Sequence, residues 1–319
     1  MKRKDNRQRQ GPREKYRITN WQSYNAGLIA RGDVTVWLEE VQGQQTYDGP
    51  RKRGRPCVYP DATIQMLLGL KQVFRLPLRA LQGFASSLAK LGALGLRVPN
   101  YTTLCRRARE LQVTLPVLRS GEALHLVVDS TGLKVFGEGE WKVRKHGSSK
   151  RRTWRKVHLA MDVNTGQVCA ALMTHQGVGD AEVLPALLDQ IASEAQIDIV
   201  GGDGAYDTKA CHAAIAARAA LPSIPPREGA APWRLRMPGA AWRNEAISAI
   251  ASSSRRKWKM VSGYHRRSLA ETLMYRLKVL TGRELAARTI GAQATEVAVR
   301  VAVLNRMTAL ARPQSVRIS

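Results

Sequence analysis

From residue 121 onward, short apolar runs of strand length alternate with longer amphipathic stretches of helix length. The runs that predict strands are residues 124–128, 157–161, 167–174 and 197–200. The turn signal at 162–166 joins the second and third as a hairpin, and apolar spacing predicts a helix at 182–195. Hairpin strands followed by alternating helices and strands predict an α/β fold, with a mixed sheet flanked by helices.

Residues 227–262 interrupt this alternation. They contain glycines and prolines, carry many basic side chains, and include Trp233, Trp242 and Trp258. We interpret them as an insertion within a domain that spans 121–312, followed by a tail at 313–319. The tryptophans suit either core packing or base stacking, and core packing is the simpler interpretation.

The first 120 residues have a different texture. Residues 1–50 form a basic N-terminal arm and a short amphipathic segment, and residues 51–120 contain three helical patterns between 61 and 113. The third pattern, 101–111, follows a turn and bears Arg106, Arg107 and Arg109. It resembles the recognition helix of a helix-turn-helix, although a solvated face on a small helical bundle would look the same.

The net charge indicates the kind of partner. The chain has 51 Lys and Arg against 25 Asp and Glu, a formal charge of +26, which favours a polyanion: nucleic acid first, an anionic membrane surface second. No segment approaches the ~18 consecutive apolar residues of a membrane span, and the N-terminus lacks a signal-peptide pattern, so we expect a cytoplasmic protein. Candidate phosphate contacts outside the helices are Arg51, Lys52, Arg53 and Arg55 in a basic linker, and Arg151 and Arg152 in a basic turn.

Three acids form the candidate catalytic set. Asp129 and Asp203 each follow a predicted strand, and Glu271 lies in a helical pattern beyond the insertion. At about 100° per residue, Tyr264, Arg267, Glu271 and Lys278 fall within roughly 60° of one another on that helix. The opposite face carries the apolar residues expected to meet the core: Leu269, Leu273, Leu277 and Leu280.

Carboxylates that converge on a basic protein suit a hard divalent cation such as Mg²⁺. A pair of such ions can promote in-line displacement at phosphorus. Other interpretations remain open at this point: Asp162 also ends a predicted strand, and Asp207 lies one turn from Asp203. Arg267 and Glu271, an i, i+4 pair, could equally belong to a surface salt-bridge ladder.

Specific motifs in this chain resemble those of DDE transposases, in particular the insertion sequence 5 family of bacterial enzymes. The motifs are Asp129-Ser-Thr-Gly-Leu-Lys, Gly202-Asp203-Gly-Ala-Tyr-Asp207 and, most specifically, the spacing Tyr264-x₂-Arg267-x₃-Glu271-x₆-Lys278. Weaker similarities extend over nearly the whole chain.

The resemblance implies a ribonuclease-H-like domain in which Asp129, Asp203 and Glu271 bind two Mg²⁺ or Mn²⁺ ions. It also implies that Arg267 and Lys278 contact DNA near the site, and we expect Tyr264 to help position phosphates there. The expected partners are double-stranded DNA, as element ends and target, and further copies of the chain in a homo-multimer. A structure-selective nuclease of the same fold and a non-catalytic DNA-binding repressor are the alternative functions.

The basic arm yields a first testable expectation. Deleting residues 1–16 should make DNA binding less sensitive to salt, because fewer counterions are released when fewer cations contact phosphate. The measurement is the slope of log binding constant against log salt concentration for the deleted and full-length chains. An unchanged slope would exclude a phosphate-binding role for the arm.

Overall fold

The computed structural model describes residues 15–38, 58–92, 97–115, 121–135 and 154–318. The first fourteen residues of the arm, and the candidate phosphate contacts Arg51, Lys52, Arg53, Arg55, Arg151 and Arg152, lie outside this part of the chain.

The described elements are eight strands and eleven α-helices, with short 3-10 turns. The strands are β1 (Lys15–Ile18), β2 (Leu124–Val135), β3 (Trp154–Asp162), β4 (Val168–His175), β5 (Ile197–Gly201), β6 (Leu221–Ser223), β7 (Glu284–Leu285) and β8 (Ser315–Ile318). The helices are α1 (Trp21–Ala30), α2 (Val34–Leu38), α3 (Asp61–Val73), α4 (Leu78–Leu91), α5 (Tyr101–Arg107), α6 (Asp180–Asp189), α7 (Lys209–Ala217), α8 (Ala240–Ser252), α9 (Arg255–Val261), α10 (Ser268–Thr281) and α11 (Ile290–Leu310).

The main sheet has the strand order β4-β3-β2-β5-β6, with β7 paired to the far end of β2. Strands β2, β3 and β4 are antiparallel neighbours, whereas β5 pairs parallel with both β2 and β6. Helices cover both faces. The mixed sheet flanked by helices that the sequence predicts is therefore confirmed, in the arrangement of a ribonuclease-H-like fold.

Two apolar cores lie on opposite faces of this sheet. On one face Val128 and Ala160 pack with Leu184 of α6. On the other face Val127 and Leu159 pack with residues of α10 and α11. Because successive side chains of a strand point to opposite faces, β2 contributes to both cores and becomes the centre of the domain.

Strands β2 and β5 separate within the sheet. Their parallel pairing runs from Leu124 opposite Ile197 to Val127 opposite Gly201, and then stops. Strand β2 continues for eight more residues, paired with β3 on its other side. The side chains that follow this point on the two strands therefore border a cleft.

The N-terminal helices do not have a core of their own. Ile64, Leu67 and Leu81 of α3 and α4 pack with Val299 and Val303 of α11 in a third apolar cluster. The two ends of the described chain also meet, since β1 and β8 pair antiparallel. Helices from both sides of residue 120 thus share an apolar cluster, and strand β8 lies within the predicted tail at 313–319.

Several boundaries differ from those predicted. Strand β2 continues through Asp129 instead of ending before it, and α5 ends at Arg107, so Arg109 lies in the following turn. Strands β6 and β7 were not predicted from the sequence. Strand β6 has three residues, one of them Pro222, and β7 has two, so neither is long enough to show a recognisable period. The insertion contains helices α8 and α9. Among the described residues, no helix combines the length and hydrophobicity needed to span a membrane.

Two glycines give opposite predictions for stability. A Cβ on Gly27 of α1 would lie 2.0 Å from the backbone oxygen of Leu310, whereas a Cβ on Gly83 of α4 would meet nothing within 4 Å. Gly27→Ala should destabilise the protein by about 2 kcal/mol or more through overpacking. Gly83→Ala should stabilise it by about 0.5–1 kcal/mol through helix propensity. Urea denaturation measures the stability of both variants, and equal effects would contradict the docking of α1 on α11.

A deletion meant to remove only the arm should end at residue 14, because Lys15 begins β1.

Candidate active site

The cleft between β2 and β5 holds two of the three predicted acids. Asp129 is the second residue of β2 beyond the last pairing with β5, and Asp203 follows β5 by two residues. The carboxylate of Asp203 caps the 3-10 turn Gly204–Tyr206 by accepting a hydrogen bond from the backbone N–H of Ala205 at 2.9 Å. Asp129 accepts one from the N–H of Ser130 at 2.8 Å. Local backbone geometry therefore orients both carboxylates.

The third acid arrives on α10. The chain turns at Gly263, whose φ of +71° favours glycine, and passes through the 3-10 turn Tyr264–Arg267 into α10. The predicted single helix from 264 to 278 is thus two segments. Its inward residues also differ from the prediction. Leu269 is 38% exposed, and the buried side chains of α10 are Ala270, Leu273, Met274, Leu277 and Thr281. Leu280 is only partly buried.

Arg267 bridges two of the three acids. Its Nη1 donates to Oδ2 of Asp129 at 3.1 Å, and its Nη2 donates to Oε1 of Glu271 at 2.8 Å. Glu271 keeps 60% of its side chain exposed, while Asp129 keeps 19%. The i, i+4 pair considered from the sequence does form, but the same guanidinium also reaches across to the sheet. A simple surface salt-bridge ladder does not describe this arrangement.

Burial and like charge both act on Asp129. Burial raises the pKa of Asp129, the N–H of Ser130 and the Arg267 guanidinium oppose this rise, and the carboxylates of Asp203 and Asp180 add to it. For Arg267, burial lowers the pKa, but Tyr264 and the surrounding carboxylates outweigh it, so its pKa is raised. The guanidinium therefore stays charged in a pocket that concentrates negative charge.

The other two members of the motif, Tyr264 and Lys278, lie at different distances from the acids. Tyr264 belongs to the 3-10 turn before α10, and Lys278 lies near the end of α10. The ring of Tyr264 has Lys259 Nζ 4.7 Å and Arg267 Cζ 6.0 Å from its centroid. Lys278 lies seven residues beyond Glu271, which is about 10 Å along a helix. Burial, and then Arg283, lowers the pKa of Lys278. Tyr264 thus belongs to the immediate site, and Lys278 lies at its margin.

The two rival aspartates have structural roles. Asp162 is buried in the β3–β4 turn, where it accepts hydrogen bonds from the backbone N–H groups of His125, Asn164 and Thr165. Asp207 is buried with Arg243, whose Nε donates to it at 2.6 Å. The proximity of these acids to strand ends in the sequence reflects turn and core construction.

Asp207 anchors the insertion to the rest of the domain. Besides Arg243 of α8, it contacts His212 of α7 and accepts from the N–H of Arg227. The Arg243 guanidinium also lies 3.9 Å from the centroid of the Trp233 ring. Trp233 is partly buried and packs against Arg243 of the insertion and edge-on against His212 of α7, whereas Trp242 is 49% exposed.

The arginines near α5 differ from one another. Arg107 donates to the backbone oxygen of Tyr59 at 2.9 Å and pairs with Asp61, so its guanidinium contributes to packing among α3 and α5. Arg106 and Arg109 are exposed. Of the three, the two exposed side chains are the better placed to meet a partner.

The sequence reading missed a fourth carboxylate. Asp180, the first residue of α6, acts electrostatically on Asp129 and pairs with Lys156 Nζ at 2.9 Å. It follows no strand directly and belongs to none of the quoted motifs. The only sequence signal was an acid at the start of an amphipathic stretch, which is common at helix N-termini.

The chemistry of the site suits a divalent cation, although its resting geometry is incomplete. Within the described residues no three His, Cys, Asp or Glu side chains lie close enough together to hold a metal. Glu271 is instead engaged by Arg267. Mg²⁺ commonly uses one or two protein carboxylates and keeps its waters, so Asp129 and Asp203 alone meet its minimum requirement.

Comparisons with known proteins identify the family of this chain. A family model described as a transposase DDE domain matches residues 120–306, and a second model with the same description matches residues 29–138. The larger match spans more than half of the chain and includes Asp129, Asp203 and Glu271. Among solved structures, a chain in a cryo-EM structure of the simian T-cell lymphotropic virus intasome in complex with PP2A regulatory subunit B56 gamma is similar at 15% identity.

That similarity covers 61% of this chain and 66% of the other, just under two thirds of its length. Its TM-score is 0.24, too low to support a detailed superposition. The family match is decisive by itself: the chain belongs to the family of DDE transposases. The enzyme class of this family is polynucleotidyl transferase and endonuclease, and its members generally depend on divalent metal ions.

The structural role of Asp207 can be tested by stability. Asp207→Asn should destabilise the protein by about 3 kcal/mol at neutral pH, because Arg243 would be left buried without its counter-charge. Burial by itself raises the pKa of Asp207. Hydrogen bonds from His212, Arg243 and Arg227 lower it by a larger amount, so the pKa lies well below its usual range. The ionised carboxylate of Asp207 therefore stabilises the folded protein at pH values above its pKa in the unfolded chain. This stabilisation declines as the pH falls below about 4.

Denaturation of wild type and variant at pH 7 and pH 3 should show the difference narrowing in acid. Asp198→Asn, which alters an exposed carboxylate on β5, is the control and should change stability by less than about 0.5 kcal/mol. A stable but inactive Asp207→Asn protein would instead return Asp207 to the list of catalytic candidates.

Proposed function

We propose that this chain is a transposase of the insertion sequence 5 group that binds the terminal inverted repeats of its own element, cleaves them and joins the ends to target DNA. The observation that supports this best is the placement of Arg267 between Asp129 and Glu271 at the cleft that also holds Asp203. Asp129 and Glu271 share one guanidinium, and Asp203 follows the neighbouring strand β5, on a chain whose net charge is +26.

In this proposal Asp129, Asp203 and Glu271 are the catalytic acids and the metal ligands. Two Mg²⁺ or Mn²⁺ ions held there would activate the attacking water or 3′-hydroxyl and stabilise the leaving oxygen. The aspartates are oriented by backbone N–H groups, whereas Glu271 is more exposed and rests on Arg267. Glu271 is accordingly the ligand that must reorient.

Arg267 supplies the reason for that reorientation. A guanidinium binds phosphate in the same two-pronged manner as it binds carboxylates. When DNA enters, a phosphate can replace the carboxylates as the partner of Arg267. Glu271 is then released toward the aspartates, so that the complete metal site forms only with substrate present. Tyr264 orients the guanidinium, and Lys278 contacts the backbone at the margin.

The remaining DNA contacts lie outside the cleft. We assign end recognition to residues 51–120, with Arg106 and Arg109 exposed near α5 and Arg107 contributing mainly to packing. Arg51, Lys52, Arg53, Arg55, Arg151 and Arg152 are proposed phosphate contacts. Double-stranded DNA at the bacterial nucleoid is the substrate, and a homo-multimer holds two ends together.

The catalytic assignment is tested with Asp129→Asn and Glu271→Gln, which remove charge and preserve shape. Both variants should bind labelled element ends about as well as wild type and lose cleavage by more than about 100-fold, the upper end of the cost of losing a residue that only supports a metal ligand. Asp189→Asn, at an exposed position on α6, is the matched control and should cleave normally. Cleavage by either active-site variant at the wild-type rate would show that the assignment is wrong.

The reaction class is tested with the products. Incubating a labelled precleaved end with plasmid and Mg²⁺ or Mn²⁺ should give covalently joined DNA. Cleavage without joining would favour the nuclease alternative. Binding of ends without any metal-dependent cleavage would favour the repressor.

A further inference from the structure

A second carboxylate group lies behind the site, on the other face of the sheet. Ser130 and His158 pair across β2 and β3 and share the face of Val128, which packs on α6. Asp129 pairs with Leu159 and shares the face of α10. Asp180, at the start of α6, therefore approaches the cleft from the face opposite Asp129.

Two side chains of β3, Lys156 and His158, contact Asp180. Lys156 Nζ lies 2.9 Å from Asp180 Oδ1 and also donates to the backbone oxygen of Val178 at 3.0 Å. Nδ1 of the fully buried His158 lies 3.4 Å from the same oxygen, while its Nε2 contacts Thr174 Oγ1 at 2.8 Å. The carboxylate is thus fixed from two sides and only 24% exposed.

This buried polar cluster extends to Tyr206. The Tyr206 hydroxyl, Nδ1 of His158 and Oδ1 of Asp180 are buried and make no hydrogen bond of good geometry within the described residues. Burial raises the pKa of Tyr206, and Asp180, Asp129 and Asp203 add to the rise, so all three carboxylates lie near its ring. Burying polar groups without hydrogen bonds destabilises the folded protein, so this cluster calls for an explanation.

Helix capping does not account for Asp180. The first turn of α6 is capped by Glu182, whose Oε1 accepts from the N–H of Gly179 at 3.0 Å. The ion pair with Lys156 does not require burial beside two other carboxylates, which burial makes more costly. Its position has a geometric consequence: His158, which contacts Asp180, pairs with Ser130, the residue next to Asp129, so Asp180 places a carboxylate behind this part of β2.

We propose that Asp180 is a positioning residue for the reaction: its carboxylate, held by Lys156 and His158, supplies fixed negative charge behind Asp129 and strengthens divalent-cation binding by Asp129 and Asp203. Lys156 opposes this effect, since it neutralises part of that charge. The inference rests on the proposed function, because it assumes that these aspartates bind the metal.

The opposite signs of the two charges provide the test. Binding of Mn²⁺ to the full-length chain, without DNA, is measured by electron paramagnetic resonance of the free ion. Asp180→Asn should weaken binding by about tenfold, the lower end of the effects seen for residues that support metal ligands. Lys156→Gln should strengthen it, because Asp180 keeps its charge and loses its neutralising partner. Asp189→Asn should leave it unchanged.

A purely structural role for the Lys156–Asp180 pair predicts that both variants weaken binding together, in step with a fall in melting temperature. That result, or wild-type affinity in Asp180→Asn, would overturn the inference. If Asp180→Asn fails to fold, the direction of the Lys156→Gln effect decides alone. Failure of the proposed function is distinguishable, because Asp129→Asn would then bind Mn²⁺ as well as wild type.

Discussion

The site depends on the place where β2 loses β5 as a neighbour. Up to Val127 the two strands are hydrogen-bonded, and beyond it β2 continues beside β3, without β5, until β7 pairs with its far end. A continuous sheet would leave no room between strands for Asp129 and Asp203. Because the pairing stops, both carboxylates border the same cleft, and α10 can bring Arg267 and Glu271 over it. The cores on either face keep β2 in position against the repulsion of the acids.

Opposite charges lie close together around the site of this protein. The chain as a whole is strongly basic, yet Asp129 and Asp203 border its cleft and Asp180 lies behind them. Within the described residues, Arg267 on one face and Lys156 on the other pair with this acidic group. Both cations pair with carboxylates that a divalent ion would also attract. The resting protein therefore has internal counter-charges where the active complex would have metal and DNA phosphate.

The helical half and the catalytic half are coupled through α11. This helix contributes Val297, Val301 and Leu304 to the core beneath the sheet, and Val299 and Val303 to the core of the N-terminal helices. A displacement of the proposed end-recognition helices would therefore also displace α11, which packs behind α10. Sequence patterns could not show this coupling, because they do not reveal that one helix is apolar toward two different neighbours.

The sequence by itself determined the longer strands and helices of the sheet, the basic character of the chain, and Asp129, Asp203 and Glu271 as candidate acids, because strand and helix periods and motif spacing are local properties. It could not separate these acids from Asp162 and Asp207, or place Leu269 on the exposed side of α10. Only the tertiary structure decided that Asp207 belongs to Arg243, that Arg267 joins Asp129 to Glu271, and that Asp180 lies behind them. The physical reason is that ion pairing and burial depend on distances between residues far apart in the chain, and those distances exist only after the sheet and its helices have packed.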